Sequence, residues 1–198
     1  MTHLTVVKIG GSLLQWIGLR TVLTRYLSEH TSGRRLLIAG GGLAADAVRG
    51  LDRAHGLSPA TSHDLALRAM EMNAHAVAEW AGGLALVDDP THWLALPVES
   101  RDAVLNPRTW LEFDERTHGE PLPRSWEVTS DSIAARVASR FDADLELWKS
   151  ATPHGVFTRA AVAQIGLVDP YFETAARDVG RVFIVNPRDH DARVIKLS

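Results

Sequence analysis

Cysteine is absent from the 198 residues, which excludes disulfides, thiolate metal sites and cysteine nucleophiles. Lysine is almost absent. Lys8, Lys149 and Lys196 are the only lysines among 21 basic residues, the rest being arginine. There is no excess of positive charge either, with a net charge of -3 and a pI near 6.3, so a nucleic-acid partner is not expected. No apolar run approaches membrane-spanning length, and "MTHLTVVKIG" lacks the basic and apolar blocks of a signal peptide. A cytoplasmic protein with no membrane partner is the expectation. Nine histidines show no H-x-H or H-E-x-x-H spacing, so no metal site is assigned.

What is present points to a parallel α/β sheet. "THLTVVKIGG" reads as a buried strand, and "LLQWIGLRTVLTRYLSEH" follows at helical spacing. "RRLLIAGGG" is a second buried strand, and "LAADAVRGLDRAHG" a helix closed by Gly56. A strand-helix-strand-helix opening implies right-handed parallel crossovers. "SHDLALRAMEMNAHAVAEW" is a further helix, capped by Ser62, with Leu65, Ala69, Met72, Ala76 and Trp80 on its packed face. Five prolines between Pro90 and Trp126 suggest loops around short strands. A helix over "VTSDSIAARVASRF", a strand over "DADLELWKS" and two short helices follow, then two closing strands, "RVFIVNP" and "RVIKL". With no repeat or linker, residues 1–198 are expected to form one domain.

A lysine inside the first strand is costly unless its ammonium reaches something anionic. In so arginine-biased a chain, Lys8 suggests a site that wants a compact point charge. Two glycine loops, Gly10-Gly11-Ser12 and Gly40-Gly41-Gly42, each end a strand and precede a helix. Ligands of open parallel sheets sit at that edge, and helix N-termini favour anions. The loops can thus serve two phosphate-bearing groups. The second also reads as G-x-G-x-x-A, a loose dinucleotide fingerprint whose acid would be Asp64. In "SWEVTSDSIAARVA", Thr129 reads as an N-cap, which puts Asp131 in the first turn. There it either complements the helix dipole or faces the ligand cleft.

Taken together, "VKIGGSLL", "IAGGG", "TSDSIAARVA" and "LELWKS" resemble the amino acid kinase family. "RSWEVTSDSIAA", preceded by "EPLP", and "GGGLAADAVR" resemble its aminomethylfuran phosphate kinase branch, from methanofuran biosynthesis. The resemblance implies a three-layer αβα sandwich with a mainly parallel central sheet, and phosphoryl transfer from ATP with Mg2+. It implies that Lys8, Asp131 and Lys149 are catalytic, that Gly10, Gly11, Ser12 and Lys149 hold the nucleotide, and that Asp131 orders the lysines and takes part in holding magnesium. Gly40, Gly41, Gly42 and Ser130 would face a small-molecule phosphate acceptor. From charge, Asp46 would take an acceptor amine and Arg49 its phosphate. A homodimer or higher homo-oligomer is expected through the helix ending at Trp80. The family's late glycine-methionine motif is missing. A kinase of another phosphate or carboxylate acceptor, or a weakly active nucleotide-binding relative, therefore stays open.

Overall fold

The structure is a computed structural model that describes residues 3–29, 32–97, 101–152, 157–189 and 194–198. The chain enters through strand β1 (Leu4–Ile9), a 3-10 turn (Gly11–Leu13) and helix α1 (Leu19–Glu29). Strand β2 (Arg34–Ala39) follows. Both strands are apolar along most of their length because helices cover both faces of the sheet. Helix α2 (Gly42–His55) ends on Gly56, which adopts the left-handed conformation (φ 65°) of a helix C-cap.

Helix α3 (Pro59–Trp80) begins four residues earlier than the sequence suggests. Its cap is Ser58, whose hydroxyl accepts from Thr61 N at 3.2 Å, and Pro59 occupies the first turn. The buried face agrees with the expected one at Ala69, with Trp80 half-buried against the core, and differs elsewhere. Leu67, Met70, Ala74, Val77 and Ala78 also pack inward, whereas Met72 is 56% exposed. Strand β3 (Ala85–Val87), the short helix α4 (Pro90–Leu94) and strand β4 (Asp102–Leu105) come next.

The stretch expected to be mostly loop contains a full helix, α5 (Pro107–His118). Pro107 stands in its first turn, where a missing N–H costs nothing, and Gly119 (φ 68°) closes it. Helix α6 (Ser130–Arg140) and strand β5 (Asp144–Trp148) carry the chain back to the sheet. The short helices α7 (Arg159–Gln164) and α8 (Phe172–Ala175) lead to β6 (Val182–Val185) and β7 (Val194–Leu197).

The seven strands lie in the order β3-β4-β2-β1-β5-β6-β7, parallel except for β7. The chain builds outward from β1 to one side, then returns to pair β5 with β1 on the other. This reversal opens a crevice at the carboxyl ends of β1, β2 and β5. One face packs Val7, Ile9, Leu37 and Trp148 under α1 and the second half of α3. The other packs Val6, Ile38, Leu145 and Leu147 against α5, α6 and α8. The result is the expected αβα sandwich.

A buried acid ties α5 to α6. Asp114, 2% exposed, accepts from Nε of Arg136 and of Arg140, each at 2.8 Å, and lies 3.0 Å from His118. Removing a buried partner strands the opposing charges. Asp114→Ala is therefore expected to lower the unfolding free energy by about 3 kcal/mol, as a shifted denaturation midpoint in urea at pH 7.

Candidate active site

The pleat explains the lysine in β1. Val6 and Lys8 share one face of the strand, and that face lies under α6. Lys8 pairs in register with Leu147 of β5, and Lys149 follows two residues later, on the same face. The two ammonium groups converge on one acid of the first turn of α6. Lys8 Nζ lies 2.8 Å from Asp131 Oδ1, while Lys149 Nζ donates to Oδ1 at 2.8 Å and Oδ2 at 2.7 Å. Lys8 is 3% exposed and Asp131 is 4% exposed.

The three groups carry one net positive charge in a dry place. Burial alone would raise the Asp131 carboxyl, but the Lys149 and Lys8 ammonium groups outweigh it and hold the value at about 2. Burial pushes Lys149 down to about 8, against the pull of Asp131, with Lys8 adding to the depression. Taking these charges out of water is expensive, and the buried Asp169 carboxylate joins Asp131 in favouring the Lys149 ammonium.

The two glycine loops sit beside this triad and lean on each other. A Cβ on Gly11 would lie 2.5 Å from Gly42 N, and one on Gly10 would lie 2.6 Å from Trp148 O. Bare backbone is thus required for the loops to meet. Asn73 of α3 pins the second loop, donating through Nδ2 to the carbonyls of Gly40 at 2.7 Å and Gly41 at 2.9 Å. Ser12 Oγ is 2.9 Å from Ser150 Oγ, which joins the first loop to the residue after Lys149.

A cavity of about 390 Å³ opens between the loops, α2, α3 and the start of α6. Gly11, Ser12, Gly41, Gly42 and Ser130 line the end nearest the triad. Ala66, Leu67, Met70 and Ile133 make an apolar floor, and Asp46, Arg49 and His63 stand along its wall. Burial lowers the His63 imidazole from its ordinary value, so the ring is neutral at pH 7.

Of the residues singled out in the sequence, the structure joins Lys8, Asp131 and Lys149 in one cluster and sets Gly11, Ser12, Gly41, Gly42 and Ser130 in the cavity lining. Gly40 is not among the cavity-lining residues; its N–H donates to Ile9 O at 2.9 Å, and it serves the turn. Asp46 and Arg49 line the cavity but pair with each other at 2.9 Å. Arg49 also lies 4.6 Å over the Trp126 ring, whose Nε1 donates to Asp52 at 2.7 Å. Both oxygens of Asp131 accept from lysine ammonium groups. Asp64, the dinucleotide reading's acid, sits in a helix and pairs with Arg68 at 2.9 Å. That position is not a strand end, and the dinucleotide reading falls.

Three contributors were missed. Asp169, 6% exposed, rather than the Thr129 side chain, accepts the hydrogen bonds at the start of α6. Asn73 was hidden in an alanine-rich helix. Asn186, at the end of β6, donates to Thr152 Oγ1 at 2.9 Å and organises the far side of the crevice. Residues 153–156, shortly after Lys149, lie outside the described residues.

No family model matches the chain. A (5-(aminomethyl)furan-3-yl)methyl phosphate kinase of Methanocaldococcus jannaschii is 32% identical over 140 residues, covering 69% of this chain and 61% of that protein. The chain thus spans less than two thirds of that relative's length. The uridylate kinase of Archaeoglobus fulgidus superposes with a TM-score of 0.66 at 15% identity, over 94% of this chain and 91% of that one. The UMP kinase of Bacillus anthracis gives 0.64 at 13% identity, over 100% and 99%. Seven strands in this order, two lysines on one buried acid between glycine loops, and these relatives agree: the chain belongs to the amino acid kinase family.

Proposed function

We propose that this protein is an ATP-dependent kinase that transfers the γ-phosphoryl group to a small phosphate acceptor bound in the cavity beside the triad. The observation that carries this reading is the pair of ammonium groups sharing one buried carboxylate between two glycine loops. Phosphoryl transfer needs positive charge where negative charge accumulates, and little else beyond alignment. Lys8 and Lys149 supply that charge as compact, rigidly held cations. Asp131 keeps them apart and aimed. Gly10, Gly11 and Ser12 cradle the nucleotide phosphates, while Gly41, Gly42 and Ser130 face the acceptor.

A phosphate acceptor is already ionised, so no general base is required. The acceptor we propose, from the relative's name, is aminomethylfuran methyl phosphate, and a part in methanofuran-type cofactor biosynthesis is proposed with it. The cavity's apolar floor suits a small ring, and the wall residues Asp46 and Arg49 stand where a charged substituent would reach them. Among the described residues, no group of three or more His, Asp or Glu side chains could hold a metal ion. Magnesium fits this chain as an ion carried by the nucleotide phosphates.

A homodimer or higher homo-oligomer is the second part of the reading. Met72 on α3 and Phe113 on α5 are 56% and 44% exposed, and these two helices pack together. Light scattering on the eluted protein is expected to give at least twice the 21.7 kDa chain mass; a single-chain mass would end the idea. No helix among the described residues is long and apolar enough to cross a membrane.

Two measurements test the chemistry. Lys8→Ala is expected to keep the fold by circular dichroism and to lose roughly 10²–10³-fold in kcat with aminomethylfuran methyl phosphate and MgATP. A folded variant as fast as the parent would defeat the assignment. The pH dependence has a definite sign. Lys149 carries its proton below about 8, and only the ammonium form neutralises phosphate. The kcat/KM of the free enzyme is therefore expected to fall as pH rises through about 8.

A further inference from the structure

Helix α6 has an unusual start. Thr129 stands at the N-cap position, yet its side chain caps nothing. Its hydroxyl donates instead to Asp169 Oδ2 at 2.8 Å, and its N–H donates to the same oxygen at 3.0 Å. Ser132 N donates to Oδ2 at 3.0 Å, and the Ser132 hydroxyl donates to Oδ1. One carboxylate thus takes four hydrogen bonds from the residues two before and one after Asp131. A threonine cap would have satisfied the Ser132 N–H on its own. The chain uses a buried charge from 40 residues away in its place.

Asp169 is itself firmly held. Val168 and Phe172 on either side of it are buried in the core, and Phe172 N donates to the Asp169 carbonyl at 3.1 Å. Tyr171 N donates to Glu127 O at 3.2 Å, which fastens this segment to the approach to α6.

We propose that Asp169 is a positioning residue for phosphoryl transfer: by clamping the first turn of α6 on both sides of Asp131, it fixes the carboxylate that aims Lys8 and Lys149. The inference rests on the kinase reading only for its kinetic consequence. Its electrostatic consequence stands apart from it. The charged groups that bear on Lys149 are Asp131 on α6, Lys8 on β1 and Asp169. Asp131 and Asp169 favour the protonated ammonium, and Lys8 opposes it. Replacing Asp169 by a neutral acceptor removes this charge from Lys149 in any case, whereas a residue that only capped a helix could be so replaced without slowing the reaction.

The scarcity of lysine makes the charge effect measurable without any substrate. With 13C-labelled lysine the protein gives three Cε signals, which Lys196→Arg and Lys8→Arg assign. In the unaltered chain, Lys149 is expected to titrate near 8. In Asp169→Asn, which keeps size and an acceptor oxygen, its midpoint should fall. Asp169→Glu, which keeps the charge, should restore most of it. In kinase assays Asp169→Asn should lose about ten-fold or more in kcat, with the KM for ATP changed less. A kcat for Asp169→Asn within two-fold of the parent (roughly 0.4 kcal/mol) overturns the proposal and leaves Asp169 a helix cap. If Asp169→Asn fails to fold, Thr129→Val with Ser132→Ala removes two donors and keeps the charge. That variant should lose kcat with Lys149 still titrating near 8, and an unchanged kcat overturns the proposal equally. Should the unaltered protein show no transfer, the kinase reading fails while the titration still decides the electrostatic role.

Discussion

Two ammonium groups sharing one buried carboxylate is the interaction around which the rest of this protein is arranged. The cluster is expensive in isolation, because three charges leave water and one positive charge is left over. The architecture around it makes sense as a means of holding that surplus in place. β1 and β5 run parallel and adjacent, so a lysine near the end of one and a lysine just past the other emerge on the same face. Helix α6 crosses that face and lowers its first turn between them. A sheet that did not reverse its winding at β1 would have no crevice there for a ligand to enter.

The glycine loops have a dual use that their composition did not announce. Glycine was read as a means for phosphate to approach backbone amides. The structure adds a second demand, because the loops touch each other and a side chain on Gly11 would strike Gly42. In the proposed kinase, loop–loop packing brings the nucleotide side and the acceptor side of the crevice together. In-line transfer depends on that closeness, since donor and acceptor must be held at bonding range before the phosphoryl group moves.

What the sequence made legible was local. Lys8, the glycine loops, Asp131 and Lys149 each sit in a short pattern whose chemistry can be named without knowing the fold. What it hid was either distant or ambiguous. Asp169 meets Thr129 across 40 residues, and Asn73 meets Gly40 across 33; nothing in either neighbourhood signals the partner. On α3, Leu65-Ala69-Met72-Ala76 and Leu67-Met70-Ala74-Val77 both recur at helical spacing, and only the packing beneath buries the second set with Ala69 and leaves Met72 exposed. Helix α5 was passed over because prolines were counted as breakers. Pro107 at its first turn and Gly119 after its last are in fact the signs of a helix with defined ends.

Helix α6 is gripped twice, by Asp169 at its beginning and through Arg136 and Arg140 by Asp114 further along. A helix held at one point can swivel; one held at two cannot. Each residue of an α-helix turns the chain by about 100° and advances it about 1.5 Å. A single-residue insertion between the grips would thus swing Asp131 away from both lysines or tear Arg136 and Arg140 from their acid. The length of α6 between its fastenings is therefore part of the candidate active site, and evolution can vary its surface residues far more freely than their number.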